Sequence, residues 1–245
     1  MSGIFQQVVP YDVTDPRPLP GISPLEEAEW LLVDEAFGAQ MSERARLLAE
    51  RRAEVLAVTP EGEDAAAELL EYVLVWLHTH AAAYRIGASE VVRPDGQSVV
   101  LDRDDPMATL GHLVQEDLCL MEKRGAEHHL SAAVLCFPAS WRLADKIGRP
   151  LTVIHVPVPE YDEGIARRVQ RLFDGVQVGR PLWRFNALRY AQGELFQPRA
   201  RPETRGLEAR DLPYLRSERQ CVLRLPKTRA CVFSIHTFLV EGGAL

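Results

Sequence analysis

Two histidines of this sequence stand inside apolar runs, where a ring nitrogen has few competitors for its lone pair. His155 lies in LTVIHVPVP, between Ile154 and Val156 and just ahead of Pro157 and Pro159; His236 lies in CVFSIHTFLV, between Ile235 and Thr237. An imidazole so placed ligates a metal, exchanges a proton, or sits as a core residue satisfied by a backbone partner. The sequence alone leaves these readings open for both. The prolines after His155 make its segment stiff and extended over Leu151 to Val158, which would fix the direction of the ring. His78 and His80 are two residues apart on a helical pattern, about 200° of rotation, so they do not share a metal. His112, His128 and His129 sit beside turns and read as solvated.

Other chemistry is bounded by composition. The cysteines, Cys119, Cys136, Cys221 and Cys231, form no CxxC pair and no zinc spacing with histidine, and each lies in an apolar run, so they read as buried thiols. A formal charge of −7 argues against a nucleic-acid partner. No basic, apolar leader opens the chain, and no apolar run approaches the ~20 residues of a membrane span, so the expectation is a soluble, cytoplasmic protein. No GxGxxG follows a strand, so no dinucleotide signature is present.

The elements that must position these residues follow from periodicity and punctuation. A proline-rich arm over residues 1–22 precedes a helix opened by Ser23-Pro24-Leu25-Glu26 as a capping box, a second helix over Ser42 to Val58 capped by Ser42, and a largely apolar third over Asp64 to Tyr84. Pro94-Asp95-Gly96 joins two short strands, Glu90 to Val92 and Ser98 to Leu101. Asp105 is a cap for a short helix in MATLGHLVQED. Val114 to Lys123 and His129 to Phe137 form a hairpin around Arg124-Gly125-Ala126-Glu127. Ser140 caps a short helix over Trp141 to Ile147, and Glu160 to Val176 is amphipathic with Arg167, Arg168 and Arg171 off its apolar stripe. Trp183 to Tyr190 is a strand, Gln197 to Leu212 a basic surface loop, and Arg219 to Leu225 with Ala230 to Val240 a last hairpin. The order after residue 113 suits an α+β fold: a PAS-like antiparallel sheet with helices on one face, preceded by an N-terminal helical segment. The expectation is one domain over 1–245, with arm and helices in 1–88 and the core in 89–245.

The segments LGHLVQEDLCLMEK, LCFPASWRLADKIGRPLTVIHVPVP, LRSERQCVLRLP and FSIHTFL resemble motifs of the heme-dependent oxidative N-demethylase alpha-subunit family. The resemblance implies a PAS-like domain holding heme b, O2-dependent removal of an N-methyl group from a small secondary amine, and electrons from a flavin reductase partner. CxxCH is absent, so the heme would be noncovalent. Under this reading His155 is the iron ligand and His236 the distal, catalytic histidine, with their exchange as the alternative. Arg142, Arg149, Arg216 and Arg219 are the cations nearest the motifs, suited to propionates. Glu218, with Glu116 and Asp117 as alternatives, would hold the alkylammonium, and Trp141 would pack on the porphyrin. A heme sensor or carrier without turnover is the rival reading, and an interaction module that has lost heme a third.

Overall fold

The computed structural model describes residues 3–14, 21–154, 163–199 and 212–242. In chain order its elements are β1 (Ser23–Pro24), α1 (Phe37–Glu50), α2 (Arg52–Val55), β2 (Leu56–Val58), α3 (Glu63–His80), β3 (Arg85–Ile86), β4 (Glu90–Val92), β5 (Ser98–Val100), α4 (Pro106–Leu113), β6 (Asp117–Arg124), β7 (Glu127–Val134), α5 (Leu151–Ile154), α6 (Glu163–Gly175), β8 (Leu182–Tyr190), β9 (Tyr214–Arg224) and β10 (Cys231–Glu241). A seven-stranded antiparallel sheet in the order β1-β8-β9-β10-β6-β7-β2 is the frame, with β3-β4-β5 a small separate sheet.

Two hairpins at the middle of the sheet follow from their turns. Gly125, at φ +61°, takes the left-handed position between β6 and β7. Between β9 and β10 Arg229 takes it at φ +66°. There Glu68 of α3 accepts the Lys227 and Thr228 N–H groups, both at 2.7 Å, and ties the hairpin tip to the helix.

The strands alternate, so successive residues serve opposite faces. Leu118, Leu120, Ala132, Val134, Cys221, Leu223 and Val232 pack on the face covered by α1, α3 and α4. Cys119, Met121, Ala133, Leu135, Val222 and Ile235 pack on the other, against Leu143, Leu151, Ile154 and the α6 residues Phe173, Leu172 and Val169. We call these the α3 face and the α6 face. The α+β class and the antiparallel sheet stand as expected, but helices cover both faces rather than one. α3 buries Leu69, Leu70, Val73, Leu74, Trp76 and Leu77. Each such side chain contributes roughly 1.5–3 kcal/mol, which anchors the N-terminal helices to the core.

Several local expectations fail because tertiary partners outrank local capping. Ser23 is not a cap: with Pro24 it pairs with Trp183 and Leu182 at the sheet edge. Ser42 lies inside α1 and donates to the Gly38 carbonyl at 2.8 Å. Asp105 occupies the cap position of α4, but its carboxylate is taken by Arg52. The helix expected over Trp141 to Ile147 is only a 3-10 turn, Leu143–Asp145, and Ser140 precedes it in a left-handed conformation. Leu151–Ile154 is helical, not extended, because the Val153 and Ile154 N–H groups both donate to Pro150 O at 3.0 Å. The rest of that segment, His155 included, lies outside the described residues, as do residues 200–211 of the basic loop. β9 begins at Tyr214, five residues before the expected Arg219. No helix among the described residues is long and apolar enough to cross a membrane.

Candidate functional site

β9 and β10 pair from Tyr214↔Glu241 to Arg224↔Cys231, and this register sorts the candidate residues. Arg219 stands opposite His236, and Glu218 opposite Thr237. The first pair faces α3 and the second faces α6.

On the α3 face His236 is buried, with Nδ1 3.0 Å from Glu116 Oε1 and Nε2 3.0 Å from Asp34 Oδ2. Burial alone would lower its pKa. The hydrogen bonds and charges of Asp34 and Glu116 outweigh burial and hold it up at about 9. The ring is therefore an imidazolium donating from both nitrogens. The carboxylates are themselves engaged: Glu116 Oε1 accepts Leu32 N–H at 2.8 Å, and Asp34 accepts the Gln6 and Gln115 amides at 2.7 and 2.9 Å. Arg219 donates to the carbonyls of Trp30 at 3.0 Å and Glu29 at 2.6 Å, and lies over the Trp183 ring. These groups clamp residues 29–36 and the N-terminal arm onto the sheet.

On the α6 face the polar residues of β8 and β9 run side by side: Arg184 beside Gln220, Asn186 beside Glu218, Leu188 beside Arg216. Glu218 Oε2 accepts from Asn186 at 3.0 Å and from Gln220 at 3.1 Å. Its Oε1 lies 3.6 Å from Arg216 Nη2. Arg216 is itself buried, donating to Leu195 O at 2.9 Å and to Phe137 O. Arg184 Nη1 donates to Gln220 Oε1 at 2.8 Å. Lys146 stands over the Trp141 ring, 4.2 Å from its centroid, and Glu218 lies within its electrostatic reach. Burial lowers the pKa of both Arg184 and Lys146. Arg184 Nε, Arg216 Nε and Thr237 Oγ1 are buried and have no hydrogen-bond partner among the described residues. Ile154, the residue before His155, packs in the apolar cluster of this same face with Cys119, Leu135, Ile235, Phe233 and Trp141.

The remaining predicted cations stand apart. Arg142 makes a two-pronged contact with Asp145 at 2.9 and 2.7 Å, and Arg149 is exposed. The sequence model of the haem-dependent oxidative N-demethylase, alpha subunit-like family matches residues 21–242. The chain belongs to this family. A demethylase subunit of this kind is haem-dependent, and the chain's own residues can be set against that need.

A heme asks for an apolar slot, an imidazole and cations for two propionates. The α6 face offers the Cys119, Leu135, Phe233 and Ile235 floor, the Trp141 ring, two half-buried cations and orphaned polar atoms. The residues present fit the group. Among the described residues no cluster of three or more His, Cys, Asp or Glu is poised to hold a metal ion.

In this demethylase-family chain, the structure brings the predicted Trp141, Arg216 and Glu218 to one face and sends the predicted His236 and Arg219 to the other. Sequence reading passes over Lys146, Arg184, Gln220 and Thr237. The signal for Arg184 was present: in LWRFNALRY, Arg184 and Asn186 alternate with Trp183 and Phe185, a polar stripe on a strand. Asp34 carries none, and Glu116, expected as an alternative holder of the alkylammonium, instead meets His236 and Leu32 N–H on the α3 face, a pairing that only the fold makes. The four cysteines are free and buried, as expected. His128 is a correction: it is buried, with Nδ1 3.0 Å from Gln170 Oε1 of α6, because the helix closes over the hairpin that carries it.

Proposed function

We propose that this chain is the catalytic heme subunit of an oxidative N-demethylase acting on a small secondary amine such as dimethylamine. Heme b would be held noncovalently on the α6 face of a PAS-like, cytoplasmic, single-domain protein. His155 is the proposed iron ligand, because its segment leads off from Ile154 in that face, whereas both nitrogens of His236 are committed to carboxylates. The heme, once bound, supplies activation of O2: with two electrons and two protons, one oxygen atom goes to water and the other enters the C–H bond beside nitrogen. The resulting carbinolamine breaks its C–N bond to release formaldehyde and the demethylated amine.

The chain's own residues would bind and orient the amine. The observation that carries the reading is Glu218: Asn186 and Gln220 fix its Oε2, while Oε1 accepts no hydrogen bond among the described residues. An alkylammonium N–H donated to Oε1 would present its methyl group to the Ile235 and Phe233 side of the face. Arg216, with Nη2 3.6 Å from Oε1, helps to aim Glu218. His236, on the opposite face, would position β10 beneath the site rather than touch substrate. The electrons would come from a flavin reductase partner, since the sequence carries no dinucleotide motif.

One feature favours the rival reading of a heme sensor or carrier. Arg216 already balances the charge of Glu218, which leaves less field for an amine. Purified protein with bound heme, given reduced flavin reductase, O2 and dimethylamine, is expected to yield formaldehyde, and His155→Ala to lose the Soret band. A reducible heme without formaldehyde from a panel of N-methylamines would select the sensor. Retention of an unchanged Soret band by His155→Ala would move the ligand elsewhere.

A further inference from the structure

The charged side chains of the α6 face are not balanced among themselves. Glu218 is matched by Arg216 at 3.6 Å, and Asp145 by Arg142. Arg224, buried on the same face, spends its donors on the Val176, Arg229 and Phe173 carbonyls. That leaves Arg184 and Lys146, both half-buried, neither in an ion pair with any described residue. A cation partly removed from water with no counter-charge is costly, and two on one face are more so. Each is nonetheless held in place: Gln220 Oε1 fixes one nitrogen of the Arg184 guanidinium, with Nε left buried and unused, and the Trp141 ring seats the Lys146 ammonium. Such a face is complete only with an anion carrying two negative charges.

We infer that Arg184 and Lys146 form a dianion site and bind the two propionate carboxylates of a porphyrin lying on the α6 face. The inference rests on the heme reading and deepens it, naming the pair that orients the macrocycle. It replaces the four arginines suggested by proximity in sequence. Arg142 is spent on Asp145, Arg149 is exposed, Arg216 is buried among the Leu195 and Phe137 carbonyls, and Arg219 holds the Trp30 segment on the opposite face. A guanidinium offers a carboxylate a fork of parallel N–H donors, and an ammonium offers a compact charge.

The test uses metal-free protoporphyrin IX and its dimethyl ester, which keeps the ring and removes both carboxylate charges. Heme-stripped full-length protein is titrated with each, reading tryptophan quenching and porphyrin emission, with no iron and no turnover required. The wild type is expected to prefer the diacid, by about tenfold per cation. Arg184→Gln and Lys146→Met should each lose about tenfold of that preference, and the double variant nearly all of it, while Arg142→Gln keeps it. A wild type that binds diacid and ester equally overturns the inference without any variant having to fold. So does a double variant with undiminished preference. Either result leaves the heme reading intact if hemin still gives a Soret band, whereas a protein that binds neither porphyrin nor hemin ends both.

Discussion

His236 shows how much a single side chain can be asked to hold. Its partners Asp34 and Glu116 lie 202 and 120 residues away in sequence, yet each meets a ring nitrogen at 3.0 Å. Because folding raises its pKa from an ordinary ~6.5 to about 9, its contribution to stability is fully present below pH 6.5. It is lost as pH rises through about 9. Asp34 has the opposite sign: burial would raise it, but His236, Gln115 and Gln6 pull it down to about 2, so its share is present above pH 4 and lost as pH falls through 2. Urea unfolding of the wild type should give a midpoint that declines between pH 6.5 and 9.5. His236→Gln should flatten that decline. At pH 6 it should cost about 3–5 kcal/mol, since two carboxylates are left buried without their cation. An unchanged midpoint would show the ring to be neutral. The sequence made the apolar setting of His236 legible but not its use, because the carboxylates that decide its charge arrive from the α1 approach and the start of β6.

Among elements, the hairpins were readable and the caps were not. Period-two alternation with Gly125 in the turn specifies β6–β7 locally. Ser23, Ser42, Asp105 and Ser140 each had the right residue type for a cap, yet in each case a strand edge, an i−4 carbonyl, an arginine or a left-handed turn took the residue. The charged and polar residues of LRSERQ look like surface, so the sequence places the start of β9 late, whereas Arg216, Ser217, Glu218, Arg219 and Gln220 are all buried with partners on both faces. The start of α3 supplies a second test. A Cβ on Gly62 would lie 2.7 Å from Ser131 O and 2.9 Å from Ser131 C, backbone atoms of β7 that are held in the sheet. Gly62→Ala is therefore expected to cost about 1–3 kcal/mol through forced separation of α3 from the sheet. Differential scanning calorimetry would register this as a lowered Tm, and a wild-type Tm would mean the junction yields more easily than the contact suggests.

At the scale of the molecule the N-terminal arm belongs to the clamp and not to the site. Gln6 donates from its backbone to Leu239 O and accepts Leu239 N–H on its side chain, while Tyr11 bonds Ser217 Oγ at 2.9 Å and packs on Phe185 and Phe238. Deleting residues 1–14 should remove roughly 3–6 kcal/mol, from Val9 and Tyr11 alone, and speed amide exchange along β10. Porphyrin affinity should survive, since the contacts of the arm with Leu239, Ser217, Phe185, Phe238 and Tyr214 include none with Arg184, Lys146 or Glu218. Parallel loss of affinity would show that the two faces are coupled more tightly than their separate contacts indicate.

The eleven-pair ladder of β9 and β10 runs from Tyr214↔Glu241 to Arg224↔Cys231 without a register shift, whereas β6–β7 contains one between Leu120 and Met121. An unbroken ladder is read like a message in two interleaved frames: Arg216, Glu218 and Gln220 spell the site, while Ser217, Arg219 and Cys221 spell the clamp. One inserted residue in β9 would put the downstream text in the other frame, delivering a carboxylate to Trp30 and a guanidinium to the proposed amine site. β6–β7 has a place where such an error is absorbed, and β9–β10 has none, so length variation in this hairpin should be confined to the turn at 226–229.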